Sequence, residues 1–99
     1  MTQTPIACTL NATERADRGD EWRAFFNANV VEVIRTDTLA RLRLKDGDDV
    51  IVAAVDLSRR EKYCCAFFDF HFEILPDAVW LEVGAPDEAV EMIDALLSS

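Results

Sequence analysis

The sequence predicts an α+β fold: a two-layer sandwich in the order β-α-β-α-β-β-α, with the helices on one face of a mainly four-stranded sheet. Three observations predict it. Strict alternation of apolar and polar residues, as in "LARLRLK" and "FFDFHFEIL", marks strands that bury one face only. Between and after such segments, apolar residues recur at helical spacing and supply amphipathic helices to cover that face. The chain has 99 residues, 51% of them hydrophobic, which suits a single domain over residues 1–99. A chain of this size buries roughly two-thirds of its unfolded surface.

The elements follow in order. "PIACTL" alternates Ile6, Cys8 and Leu10 on one side, and reads as a first strand with Cys8 towards the core. Asn11 with Glu14 three residues later matches a capping box and starts a helix. Trp22, Phe25, Phe26, Val30, Val33 and Ile34 continue it at helical spacing towards "RTDT", with Gly19 costing about 1 kcal/mol relative to alanine. "LARLRLK" is a half-buried strand with Ala40, Leu42 and Leu44 inward. In "KDGDDVIV" a hairpin signal at Asp46-Gly47 competes with a helical stripe through Val50, Ala54, Leu57, Glu61 and Cys64/Cys65. Acidic Asp48 and Asp49 at the start and basic Arg59, Arg60 and Lys62 near the end complement a helix dipole, so the helix is preferred. "FFDFHFEIL" then places Phe68, Phe70, Phe72 and Ile74 inward. A Pro76-Asp77 turn leads to "AVWLEV" with Val79, Leu81 and Val83 inward. Pro86 opens a last helix whose apolar face is Val90, Ile93 and Leu97.

Nineteen acidic residues against ten basic ones give a formal charge of -9. Such a field repels phosphate backbones and anionic lipid, which argues against nucleic-acid and membrane binding. No segment has the length of a membrane span. "MTQTPIACTL" has neither a basic n-region nor a long apolar run, so a reduced, cytoplasmic protein with free thiols is expected.

The chemistry that the sequence offers is sulfur. Cys8 falls on the inward face of the first strand, and Cys64 and Cys65 close the second helix, which packs on the same sheet face. Three converging thiolates suit soft ions such as zinc, mercuric, arsenite or cuprous ions rather than oxygen-seeking cations. The spacing lacks a Cys-x-x-Cys pair, and buried cysteines often serve simply as small hydrophobes. Both readings stand. Glu61 shares the helix face of the cysteines, where an unpaired carboxylate is costly. It is expected either to pair with a basic residue such as Arg41 or Arg15, or to serve the thiols as a ligand, a supporting acceptor or a proton carrier.

His71 has strand parity opposite to the phenylalanines, away from the cysteines, and Trp80 shares that outward parity. With Arg41, Arg43, Asp69, Glu73 and Glu82 they describe an open sheet face on which a second subunit would sit, giving a homodimer. No residue is assigned a catalytic role. A cysteine at a helix C-terminus faces the negative end of the dipole, no inward histidine serves as base, and there is no phosphate loop or nucleophile elbow.

The segments "CTL" (8–10), "ER" (14–15), "EW" (21–22), "LRLK" (42–45), Glu61 followed by "CCAFFDF", and "LEVGAP" (81–86) together resemble a group of small bacterial proteins. The same pattern is similar to C-terminal extensions of regulators of the mercury-resistance class. That resemblance implies that Cys8, Glu61, Cys64 and Cys65 are the motif positions, and it favours the helix over residues 48–65. The expectation is a non-enzymatic domain that binds or senses a soft metal or metalloid through Cys8, Cys64 and Cys65, with Glu61 assisting. The alternatives are an interaction or dimerisation module with structural cysteines, and a small thiol- or Glu61-dependent enzyme.

Overall fold

A computed structural model describes residues 11–97. Within them the order is α1 (Ala12–Asn29), β1 (Val30–Arg35), β2 (Leu39–Leu44), α2 (Asp48–Cys64), β3 (Asp69–Ile74), β4 (Val79–Gly84), a single 3-10 turn (Asp87–Ala89) and α3 (Val90–Leu97). The strands form one antiparallel sheet in the order β1-β2-β4-β3. Two hairpins thus lie side by side, and their second strands are the central pair. The α+β class is as the alternation predicts, because strands that bury one face need helices on one side only.

The core lies between the inner sheet face and the helices. Ala40, Leu42 and Leu44 of β2 and Leu81 and Val83 of β4 are buried beneath Trp22 and Phe25 of α1, Val50, Ala54 and Leu57 of α2, and Ile93 of α3. Trp22 stacks on Phe70 with ring centroids 6.1 Å apart, and Phe25 meets the indole edge-on at 6.3 Å. Offset-stacked and edge-to-face contacts of this kind add to the area that the rings bury.

Local chemistry explains the helix ends. The Asn11 side chain accepts from the Glu14 amide at 2.8 Å, and the Glu14 carboxylate accepts from the Asn11 amide at 3.1 Å, which is the expected capping box. Before α2, Gly47 has φ 141°, and a Cβ there would lie 2.7 Å from Asp49 Oδ1. Glycine supplies a turn into the helix that a side chain would obstruct. The hairpin alternative at Asp46-Gly47 is therefore not realised, and the helix over 48–64 is.

Two expectations change. The first helix does not continue to Ile34: it stops at Asn29, and Val30–Arg35 is a strand paired with β2. The β-branched run "VVEVI" has low helix and high strand preference, and β2 offers it an open edge three residues away. Ile74 has inward parity in sequence but is 71% exposed, because it ends the edge strand β3 where it is left uncovered. The predicted first strand at residues 6–10, with Cys8, lies outside the described residues.

Candidate functional site at the end of the second helix

α2 places Glu61 and Cys64 on its last turn, and Cys65 is its C-cap at the start of the segment leading to β3. Glu61 is only 3% exposed. An isolated carboxylate there would be strongly disfavoured, and the structure provides two donors. Trp22 Nε1 donates to Glu61 Oε1 at 2.7 Å, and Arg18 Nη1 donates to the same oxygen at 3.3 Å. The same guanidinium then reaches the sulfur: Arg18 Nη2 lies 4.0 Å from Cys64 Sγ. A chain of contacts therefore runs from the core indole through a buried carboxylate and a nearly buried arginine to a half-buried cysteine.

The partner of Glu61 is thus an arginine of α1, neither Arg15 nor Arg41. Arg15 is exposed one turn earlier on the helix, and Arg41 points from the opposite face of the sheet. Arg18 stands four residues before Trp22, so the two share a helix face. A cation sharing the face of a core tryptophan is the signal that the sequence carries.

The α1–α2 seam continues the network outward. Glu21 sits 3.8 Å from Arg18 Nε and 2.8 Å from Arg60 Nη2, and Arg60 Nε reaches Asp56 at 3.1 Å. The bond to Arg60 holds the Glu21 carboxyl below its ordinary value, against a smaller opposing effect of burial.

The segment carrying the cysteines is fixed from its other side. The Cys65 amide caps α2 by donating to the Glu61 carbonyl at 2.7 Å, and the Phe68 amide returns to the Cys65 carbonyl at 3.1 Å. Lys62 Nζ donates to the carbonyls of Ala66 and Phe68 at 2.7 and 2.8 Å, and to Asp69 Oδ1 at 3.2 Å. A cation at the negative end of the helix suits both the dipole and the orphan carbonyls.

The two cysteines differ sharply. Cys65 is 0% exposed and is disulfide-bonded, whereas Cys64 is a free, half-buried thiol. The bond is thus not between the adjacent pair, in keeping with the strain of so small a ring. The expectation that Cys65 is a free thiol is not met, and Cys8 lies outside the described residues. Among the described residues, no group of three or more His, Cys, Asp or Glu is placed to hold a metal ion. No described helix is long and apolar enough to cross a membrane.

His71 and Trp80 lie on the outer face, as their parity predicts. His71 is exposed opposite Glu82, and the Arg41 guanidinium covers the Trp80 ring at 4.5 Å from its centroid. No protein-family model, curated protein or solved structure matches this chain.

Proposed function

We propose that the reduced protein is a non-enzymatic domain that sequesters or senses a soft metal or metalloid ion through Cys64 and Cys65, with Cys8 as the third sulfur. The observation that carries the reading is the Glu61–Arg18–Cys64 contact. Two or three thiolates on one ion leave excess negative charge on sulfur, and a fixed guanidinium N–H beside the sulfur offsets it. Glu61 then acts by aiming Arg18 rather than by ligating. Its buried carboxylate is already engaged by Arg18 and Trp22. The resemblance of the sequence pattern to extensions of mercury-resistance-class regulators leans the same way. A reducing compartment, the cytoplasm, is where such thiols would be available.

The test is an ultraviolet titration of the fully reduced protein with mercuric, arsenite and cobaltous ions, repeated on Cys8→Ser and Cys64→Ser. Saturable thiolate charge-transfer bands at one equivalent, weakened in both variants, are expected. Bands that are absent for arsenite and cobalt, or unchanged in both variants, would overturn the reading. Mercury alone does not count, since it reacts with almost any accessible thiol.

A second reading concerns the outer sheet face, where half-buried Trp80 and exposed His71 lie on a surface left open by the helices. A homodimer through that face predicts concentration-dependent mass by light scattering that Trp80→Ala abolishes. A monomer at every concentration would remove this reading.

A further inference from the structure

Cys64 opens into a recess between α1 and α2 with a volume of about 430 Å³, lined by Arg18, Asp56, Arg59, Arg60 and Tyr63. That volume is typical of small-ligand sites. The recess runs against the character of the chain: a protein of formal charge -9 gathers three arginines around the free thiol of its described residues. Two of these cations are already matched, Arg18 by Glu61 and Arg60 by Glu21 and Asp56. Arg59 makes no ion pair among the described residues. An exposed guanidinium with no ion pair among the described residues, beside a reachable sulfur, is a docking point for a carboxylate whose own sulfur must meet Cys64.

We propose that this recess is a thiol–disulfide exchange site for small carboxylate-bearing thiols in their disulfide form. Cys64 is the exchanging sulfur, Arg59 the docking cation, and Arg18 the group that holds the Cys64 sulfur in place. In the step, Cys64 gives its proton to water and its sulfur attacks one sulfur of the ligand disulfide. A Cys64–ligand S–S bond forms and the ligand's own S–S bond breaks. The departing half leaves as a thiolate with the bonding electron pair and takes a proton from solvent. One disulfide is consumed and one is made, so no further oxidant enters. Cys65 is buried and already disulfide-bonded, which leaves Cys64 as the sulfur that the ligand meets. Exchange needs one sulfur and a metal needs at least two, so this inference stands apart from the metal reading.

The experiment uses the full chain without reductant, so that the Cys65 disulfide stays intact. It is treated separately with oxidised glutathione, hydroxyethyl disulfide and cystamine, which are anionic, neutral and cationic disulfides. Adducts are followed by intact mass and located by peptide mapping. The overall charge of the protein favours cystamine, so only a local basic recess reverses the order. The expected result is a single adduct at Cys64, formed about tenfold faster by oxidised glutathione than by cystamine. High salt narrows that gap. Arg59→Ser slows the glutathione reaction severalfold and leaves hydroxyethyl disulfide unchanged. Arg59 is exposed, so the variant keeps the fold. Cystamine reacting fastest, no adduct at Cys64, or an Arg59→Ser rate equal to the parent would each overturn the proposal. None of these outcomes bears on the ion titration of the reduced chain.

Discussion

The molecule uses the same three residue types twice, on opposite sides of its sheet. Under the helices, Arg18, Glu61 and Trp22 form a buried cluster in which the indole N–H and the guanidinium both address one carboxylate oxygen. On the open face, Arg41 reaches Glu73 at 2.7 Å and lies over the ring of Trp80. Its Nε is 3.0 Å from Glu82, close enough to pair but not aligned for a hydrogen bond. The buried tryptophan therefore contributes its edge and the open one its face.

The contrast shows what burial does to an ion pair. In the interior, water cannot replace a lost partner, so every member is required once one is present. On the open face water competes for each charge, and the cluster orders side chains at little net gain. Strand register explains the second cluster. Arg41 stands directly opposite Glu82, and Trp80 is its diagonal neighbour beside Arg43. No such local rule assembles the first.

Four substitutions put the contrast to the test, in descending order of effect. Glu61→Ala leaves a nearly buried guanidinium with only the more distant Glu21, 3.8 Å from its Nε, and removes the indole acceptor. A loss of about 3–4 kcal/mol in urea denaturation is expected; a loss under about 1 kcal/mol would show that the buried cluster behaves like a surface pair. Trp22→Phe keeps most of the ring packing but deletes the donor to a charged acceptor, for a loss of about 2 kcal/mol. The coupling of that change to Glu61→Ala in a double-mutant cycle separates the hydrogen bond from the packing.

On the open face, Arg41→Ala should cost less than about 1 kcal/mol, and the cost should shrink with added salt. A loss equal to that of Glu61→Ala would mean that a second surface covers this face in solution. The smallest effect is a pH dependence at the α1–α2 seam. Glu21 is held below its ordinary 4.5 mainly by Arg60. Its contribution is therefore complete above that value and is lost as pH falls through the lower folded value. Arg60→Ala should flatten the stability–pH slope below pH 4.5 by a fraction of a kcal/mol, since both side chains are substantially exposed. An unchanged slope would assign the acid sensitivity to another carboxylate.

Much of the architecture is readable from neighbouring residues. The capping box at Asn11 and Glu14, the alternation in "LARLRL" and "AVWLEV", and the charge asymmetry of α2 all act within a few residues, so periodicity finds them. The helix over 48–64 is readable despite the Asp46-Gly47 hairpin signal, because a stripe sustained over four turns outweighs one dipeptide. "VVEVIR" misleads for the opposite reason. Its apolar residues continue the period of α1, and only an available partner strand turns the run into β1.

The candidate site divides along the same line. That Glu61, Cys64 and Cys65 share the end of one helix is a consequence of local spacing. That Glu61 needs a partner if it is buried follows from its place on an apolar stripe. Which cation, and that the same cation also touches Cys64, does not follow, because Arg18 is 43 residues from Glu61 in sequence and the distance closes only when α1 packs against α2.

Sequence alone dictates most of the elements, their inward and outward faces, and the position of sulfur beside an acidic residue. The strand order β1-β2-β4-β3, the end of α1 at Asn29, the choice of Arg18, and the unequal states of Cys64 and Cys65 emerge only in three dimensions. The cause is the range of the forces. Dihedral preference, capping and periodic burial are written in adjacent residues, whereas pairing and desolvation depend on which distant surface arrives to cover them.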